Sequence, residues 1–191
     1  MLNLDLLFWA SVELRSPHLY NIAKTHAQST QTHLIRPNSS TFHVVNFDQA
    51  TGTVKAKFTN QGYSDSSSWS RGQAWAIVGF AQTYGWTGDR SFLDTASSCA
   101  DYFLKRLEES GSRVPPWDFD APSEDGKRPT DTSAAMMGDG EDTILKGATI
   151  NNYEFAPRRW ADHGLVYADY YFLMVGNLLL EMGIGENFIK K

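Results

Sequence analysis

One cysteine, Cys99, stands among 191 residues. A lone thiol closes no internal disulfide, so the fold has to rest on its core. No run approaches the ~18 consecutive apolar residues of a membrane-spanning helix. Positive charge is scarce as well: 17 Lys+Arg stand against 22 Asp+Glu, for a formal net charge of −5. That is the wrong sign for a protein that binds nucleic acid by neutralising phosphates. No His/Cys cluster has zinc-site spacing, and the acidic run Asp139-Gly140-Glu141-Asp142 lacks the spacing of a calcium loop. No glycine-rich phosphate loop follows a strand. These gaps lead to an expectation of no metal and no cofactor. What is plentiful is aromatic and apolar surface, 13% and 41% of residues, which excludes a disordered chain. The length fits one globular domain, residues 1–191.

The first residues are already apolar. Leu2-Asn3-Leu4-Asp5-Leu6-Leu7-Phe8-Trp9-Ala10 reads as a helix, with no charged leader and no small-residue cleavage site, so it is not a signal peptide. On these residues alone a cytoplasmic location is expected. Natural termini usually carry polar residues before the first buried helix. The abrupt start therefore leads to the expectation of a clipped chain; a docked N-terminal helix is the alternative.

Along the chain the pattern is helices in pairs. Helix one covers about Leu2 to Leu14. Ser16-Pro17 supplies a cap and a first-turn proline for helix two, which runs to about His33 with Leu19, Ile22, Ala23, His26, Ala27 and Thr30 on one face. Thr41–Phe47 and Thr53–Phe58 predict a β-hairpin around the turn 48–52. A polar loop, 60–68, leads to helix three from Ser70, with Trp75, Ile77, Val78, Phe80, Ala81 and Tyr84. Helix four covers about Arg90 to Glu109, with Phe92, Leu93, Ala96, Cys99, Ala100, Phe103, Leu104 and Leu107 facing inward. The stretch 116–142 carries eight acidic residues against two basic ones. A short helix five is expected from Thr132 to Met137, and a last helix from about Leu165 to Met182, with no strong strand in between. Hairpins of helices with wide apolar faces need neighbours on both sides, and a toroid of hairpins meets that need.

The patch that bears chemistry is Ser68-Trp69-Ser70-Arg71-Gly72-Gln73-Ala74-Trp75. Ser70 can cap a helix whose first turn holds Arg71. Arg grips a carboxylate with two parallel hydrogen bonds, and Trp faces stack on the apolar face of a sugar ring. His43 on the hairpin and Gln61 on the loop lie upstream; Trp117, Asp118 and Asp120 lie downstream. Together they suit an acidic carbohydrate. Taken singly, each has a plainer reading. Trp75 suits a core, His43 a structural histidine, and Arg71 a salt bridge to Asp65 or Asp118.

In this order, Met1–Ala10, Ser40-Thr41-Phe42-His43-Val44, Gln61-Gly62-Tyr63-Ser64-Asp65, Trp69–Trp75, Pro116-Trp117-Asp118-Phe119, Asp131-Thr132-Ser133-Ala134-Ala135 and Ala168-Asp169-Tyr170-Tyr171-Phe172 resemble glycoside hydrolase family 88. These are the unsaturated glucuronyl hydrolases, and the blocks are closest to the fungal-type members. The resemblance implies an all-α, (α/α)6 six-hairpin toroid, here incomplete, with a small β-hairpin insertion. It implies removal of a Δ4,5-unsaturated uronic acid from lyase-generated oligosaccharides by hydration of the C4=C5 vinyl ether. This differs from the two-carboxylate schemes of other glycosidases but keeps their acid/base logic. His43, Gln61, Trp69, Arg71 and Trp75 match substrate-contacting positions. A second histidine of the family falls on Asn60. The catalytic Asp of the family's Asp-x-Met-x-Asn pattern would fall two residues before Met1, and the second essential Asp further upstream, so no catalytic residue is assigned. Asp5 sits at a position that is not catalytic in the family. After Ala135 the family has further helix where this chain passes directly through Gly138-Asp139-Gly140, which leads to the expectation of an internal deletion. The partner expected is an acidic oligosaccharide, with neither nucleic acid nor membrane. Two other readings stay open: an unsaturated rhamnogalacturonyl hydrolase of the same fold, and a non-catalytic remnant that binds acidic sugar.

Overall fold

A computed structural model describes residues 3–112, 114–123 and 129–131, three two-residue strands between 136 and 149, and Phe155. Helix α1 spans Leu4–Glu13 and α2 spans Pro17–Leu34. Between them the chain reverses through Arg15, held at φ 49. Pro17 occupies the first helical turn, where its missing N–H costs nothing. Ser16 stands at the cap position, but its side chain makes no capping bond. The strands β1 (Val44–Phe47) and β2 (Val54–Phe58) form an antiparallel hairpin, with Val44 opposite Phe58 and a bulge at Asn46/Phe47. Its turn is closed by Asp48, whose Oδ1 accepts from the N–H groups of Ala50 and Thr51, and by Gly52 at φ 69, a conformation that favours glycine. Helix α3 spans Ser70–Thr87 and α4 spans Arg90–Glu109. Gly88 ends α3 in the left-handed conformation, and Asp89 caps α4 by accepting from Ser91 N–H.

The pairs α1/α2 and α3/α4 are antiparallel hairpins, and α1 and α2 both touch α3. Their shared core is Leu4, Phe8, Ala23, Ala27, Ala76, Phe80, Phe92, Ala96 and Cys99. The alanines let the helices approach closely, and the phenylalanines fill what remains. Phe80 stacks on Phe92 at 6.1 Å, and Phe8 meets Tyr20 edge-on at 5.4 Å. Each fully buried Phe is worth about 1.5–3 kcal/mol of transfer free energy. Asp5 accepts the Trp86 indole N–H at 2.7 Å, tying α1 to the end of α3.

Several expectations from periodicity change. On α3 the buried stripe is Gln73, Ala76, Gly79, Phe80 and Thr83, while Trp75, Val78 and Ala81 are exposed. On α2, Ile22 and His26 are exposed, and on α4 Leu104 is exposed. Helix α3 is apolar on both sides, so spacing alone does not select the side that packs. The helix expected from Thr132 to Met137 is not seen where it can be judged. Met136–Met137 is a strand, β4, paired antiparallel with β5 (Leu145–Lys146). Thr130–Asp131 (β3) pairs in parallel with Ala148–Thr149 (β6). Short strands therefore occur where no strong strand was expected. The last helix, Leu165 to Met182, lies outside the described residues. Among the described residues no helix is long and apolar enough to cross a membrane.

A strap, residues 114–121, completes the loop end of the two hairpins. Trp69 and Asp118 form one antiparallel bridge, and Pro116 and Thr130 another. Phe119 N–H donates to Ser68 O at 3.0 Å and Trp117 N–H to Pro129 O at 2.7 Å. Arg106 on α4 donates to Phe119 O and to Asp120 Oδ1. The strap thus lies across the N-terminus of α3, and its Trp117 and Ala121 form a second small apolar cluster with Trp69.

Candidate functional site

Trp69 precedes the first turn of α3 and is the hub of the site. It is 2% exposed. The His43 ring lies 4.3 Å from its centroid, and the Trp75 ring meets it edge-on at 5.2 Å. The Arg71 guanidinium sits 5.0 Å over the same indole, in cation–π range. Gly72 is what permits this: a Cβ there would lie 2.9 Å from Trp69 Cε3. Trp75 is 39% exposed, so it is not the core residue its plainer reading suggested. A cavity of about 250 Å³ is walled by His43, Trp69, Gly72 and Trp75, with Thr41 and Phe42.

Ser70 does not cap α3. It is the first helical residue, and its hydroxyl donates to Pro116 O, fastening the strap instead. Arg71 is paired neither with Asp65 nor with Asp118. Its Nε and Nη2 grip the carboxylate of Asp131 at 3.0 and 3.2 Å, and Asp131 is 1% exposed. The two-point grip expected of Arg71 exists within the chain itself, on β3.

His43 has a defined protonation state. Its Nδ1 is 3.2 Å from Asn60 N–H, 3.3 Å from Gln61 N–H and 2.9 Å from the Thr59 hydroxyl. Backbone donors can meet only a nitrogen that accepts, so the ring is neutral with its proton on Nε2. Burial, and then the Arg71 charge, push its pKa down to about 4. Gln61 joins the site through its backbone. Its N–H faces His43, and its carbonyl accepts from the Trp117 indole at 2.7 Å. The five residues His43, Gln61, Trp69, Arg71 and Trp75 are therefore neighbours, although 32 positions separate the first from the last.

Three groups that hold these residues carry no local sequence signal for the role. Thr59 pins His43, Asp131 orients Arg71, and Asp118 lies beneath the loop 59–68. Asp118 is fully buried, and burial raises its pKa above the ordinary carboxylate value. Asp120, also singled out from sequence, is turned away toward Arg106, with Oδ2 accepting from Ser68 N–H. Among the described residues no group of His, Cys, Asp or Glu is placed to hold a metal ion.

An aromatic-walled corner with a guanidinium gripped by a buried carboxylate thus stands at the loop end of paired helical hairpins. The comparisons give the group. An unsaturated glucuronyl hydrolase of Formosa agariphila is 41% identical over 138 residues, 72% of this chain and 34% of that protein. The unsaturated glucuronyl hydrolase of Bacillus sp. strain GL1 is 36% identical over 140 residues, 73% of this chain and 37% of that protein. An unsaturated chondroitin disaccharide hydrolase of Streptococcus pneumoniae is 31% identical over 210 positions, 91% of this chain and 52% of that protein. The solved structure of the Bacillus enzyme superposes with a TM-score of 0.78 at 27% identity, covering 96% of this chain and 58% of that one. A heparin-specific unsaturated glucuronyl hydrolase gives 0.79 at 29%, covering 90% and 55%. No family model matches. By sequence and by fold, the chain is related to the unsaturated glucuronyl hydrolases of glycoside hydrolase family 88, and its fold is an incomplete form of their (α/α)6 toroid. It spans about a third to a half of the length of the curated relatives it matches.

Proposed function

We propose that this chain forms the sugar-holding side of an unsaturated glucuronyl hydrolase site, with a Δ4,5-unsaturated uronic acid at the non-reducing end of an acidic oligosaccharide as its ligand. The observation that carries the reading is the corner itself: His43, Trp69, Arg71 and Trp75 in ring contact, with Gln61 beside them. Trp75 offers an exposed indole face for stacking. His43 offers an Nε2 proton, so it acts as a donor to a sugar oxygen and not as a base. Arg71, held by Asp131, supplies a fixed positive charge beside the sugar.

In the family reaction a proton adds to C4 and water to C5 of the vinyl ether, and the hemiketal then opens to release the remaining sugar. The proton donor is an Asp of the Asp-x-Met-x-Asn pattern, and no carboxylate of these 191 residues matches it. The finer assignment to fungal-type members rests on the sequence blocks quoted above. So does the missing helix after Ala135, which draws support from the alignment of 210 positions with the pneumococcal protein, longer than this whole chain.

The test uses the 191-residue chain and an unsaturated chondroitin or heparin disaccharide. Calorimetry should show binding that Arg71→Ala weakens by about 2–5 kcal/mol. The ultraviolet absorbance of the conjugated uronate should stay constant; robust loss of that band would overturn the missing-aspartate part of the reading. Preference for a rhamnogalacturonan disaccharide would favour the related rhamnogalacturonyl hydrolases. A complex of a structural neighbour supports an acidic sugar: a Streptococcus agalactiae mutant unsaturated glucuronyl hydrolase is solved with dGlcA-GalNAc6S.

A further inference from the structure

Asp118 is a buried carboxylate that meets donors and no cation. Its Oδ2 accepts from Tyr63 N–H at 2.9 Å and from the Ser67 hydroxyl at 2.7 Å, and its Oδ1 accepts from Asp120 N–H at 2.9 Å. None of these partners is a side chain of opposite charge. An ionised buried carboxylate without an ion pair is costly, and burial pushes the protonation equilibrium toward the neutral acid. An amide in its place would set an NH2 group against the Tyr63 or the Asp120 N–H, a donor facing a donor, whereas a carboxyl group can accept from both.

The loop above it is built to sit on that carboxyl group. Gly62 lies so close that a Cβ would stand 2.7 Å from Thr59 Oγ1, 3.0 Å from Asp118 Oδ2 and 3.2 Å from Trp69 Cβ. Gly62 N–H donates to Thr59 Oγ1 at 2.9 Å, and Thr59 Oγ1 contacts His43 Nδ1 at 2.9 Å. Asn60 and Gln61, whose N–H groups fix the His43 tautomer, are in the same turn. From Asp118 through residues 63, 62 and 59 to the His43 ring, every link is a hydrogen bond or a peptide unit. Trp117, next to Asp118 on the strap, closes the circuit by donating to Gln61 O.

We propose that Asp118 is a positioning residue: it clamps the 59–68 loop to the strap and thereby holds His43 as a neutral Nε2–H donor and Gln61 at the site. Its effect on His43 is independent of the sugar reading. Its consequence for ligand affinity rests on the function proposed above. The charged groups around the clamp are Asp120, held by Arg106; Asp65, whose Oδ1 accepts from Thr59 N–H; and Arg36, which donates to the carbonyls of Asp65 and Ser67.

The test reads the His43 ring by nitrogen NMR in the 191-residue chain, comparing wild type with Asp118→Asn and, as a milder variant, Ser67→Ala. Wild type should show the single Nε2–H tautomer. In Asp118→Asn the tautomers should mix and the ring pKa should move up toward the ordinary 6.5; Ser67→Ala should move both in the same direction by less. These are properties of the folded molecule, so loss of stability alone does not produce them. Affinity for the unsaturated disaccharide should fall several-fold in Asp118→Asn, in proportion to the fraction of molecules that lose the Nε2–H tautomer. If Asp118→Asn fails to fold, Ser67→Ala decides. An unchanged His43 tautomer and pKa in the folded variants overturns the proposal. A wild-type chain that binds no sugar, with His43 still answering to Asp118, refutes the functional reading and leaves the clamp standing.

Discussion

Replacing Gly72 and Gly85 by alanine should move stability in opposite directions, although both glycines lie in α3. Helix propensity alone favours alanine over glycine at either position by about 0.5–1 kcal/mol. At Gly85 nothing lies within 4 Å of the added Cβ, so that gain should be realised. At Gly72 the methyl would stand 2.9 Å from Trp69 Cε3, 3.5 Å from Cζ3 and 3.8 Å from Thr41 Oγ1. The first distance lies well inside carbon–carbon contact, which is most favourable near 3.5–4.0 Å. The atom to be moved is the edge of a buried indole, wedged between His43 at 4.3 Å and Trp75 at 5.2 Å. Overpacking of this kind costs about 1–3 kcal/mol. It outweighs the propensity gain and leaves Gly72→Ala destabilised by about 0.5–2 kcal/mol. A gap of about 2 kcal/mol between the two variants corresponds to roughly 4–8 °C in Tm for a chain of this size. Denaturant and thermal unfolding followed by far-UV dichroism measure it. Equal stabilisation of both variants would refute the claim that Gly72 exists to let Trp69 lie against the helix.

Three further outcomes follow from buried groups. Asp131→Ala removes the carboxylate that grips the Arg71 guanidinium and should destabilise by about 1.5–3 kcal/mol in denaturant unfolding, the range for hydrogen bonds to a charged group. His43 favours the neutral form in the fold, with its pKa lowered from 6.5 to about 4. Its contribution to stability is therefore complete above pH 6.5 and is lost as pH falls toward 4, up to about 3 kcal/mol. His43→Asn keeps an acceptor near Nδ1 but cannot take up the proton, so the wild-type-minus-variant difference across pH 4–7 isolates this from Asp118, whose raised pKa acts in the opposite sense. Cys99 is buried and its thiol is pushed up to about 11. A disulfide reagent at pH 8 should therefore leave it unmodified in the native protein and label it promptly in denaturant.

The helices were largely legible from the chain. Ser16-Pro17 marks the start of α2 with local backbone chemistry, the expected bounds of α1, α2 and α4 lie within two residues of those observed, and α3 starts at Ser70 as expected but runs on to Thr87, through residues 85–87 that glycine content marks as a turn. The hairpin 44–58 was legible for the same reason, in its alternation and in a turn that opens on Asp48 and closes on Gly52. The side of α3 that packs was not, because Trp75, Val78 and Phe80 are equally apolar and only the positions of α1, α2 and α4 distinguish them. Helix five failed at Met136–Met137, where strand pairing with Leu145–Lys146 overrides local helical propensity.

By itself the sequence determined which residue types meet: the Trp69–Trp75 block, His43 and Gln61 are written in it, and so is their order along the chain. It did not determine who holds them. Arg71 turned out to be bound by Asp131, His43 by Thr59 and the turn after it, and the loop by Asp118. Each of these pairings except that of His43 with its turn spans more than 50 residues, and it exists because two distant segments cross at the N-terminus of α3. Hydrogen-bond donors and acceptors of that kind leave no periodicity and no spacing. Only the tertiary structure, by bringing a buried carboxylate within 3 Å of a particular N–H, decides their partners.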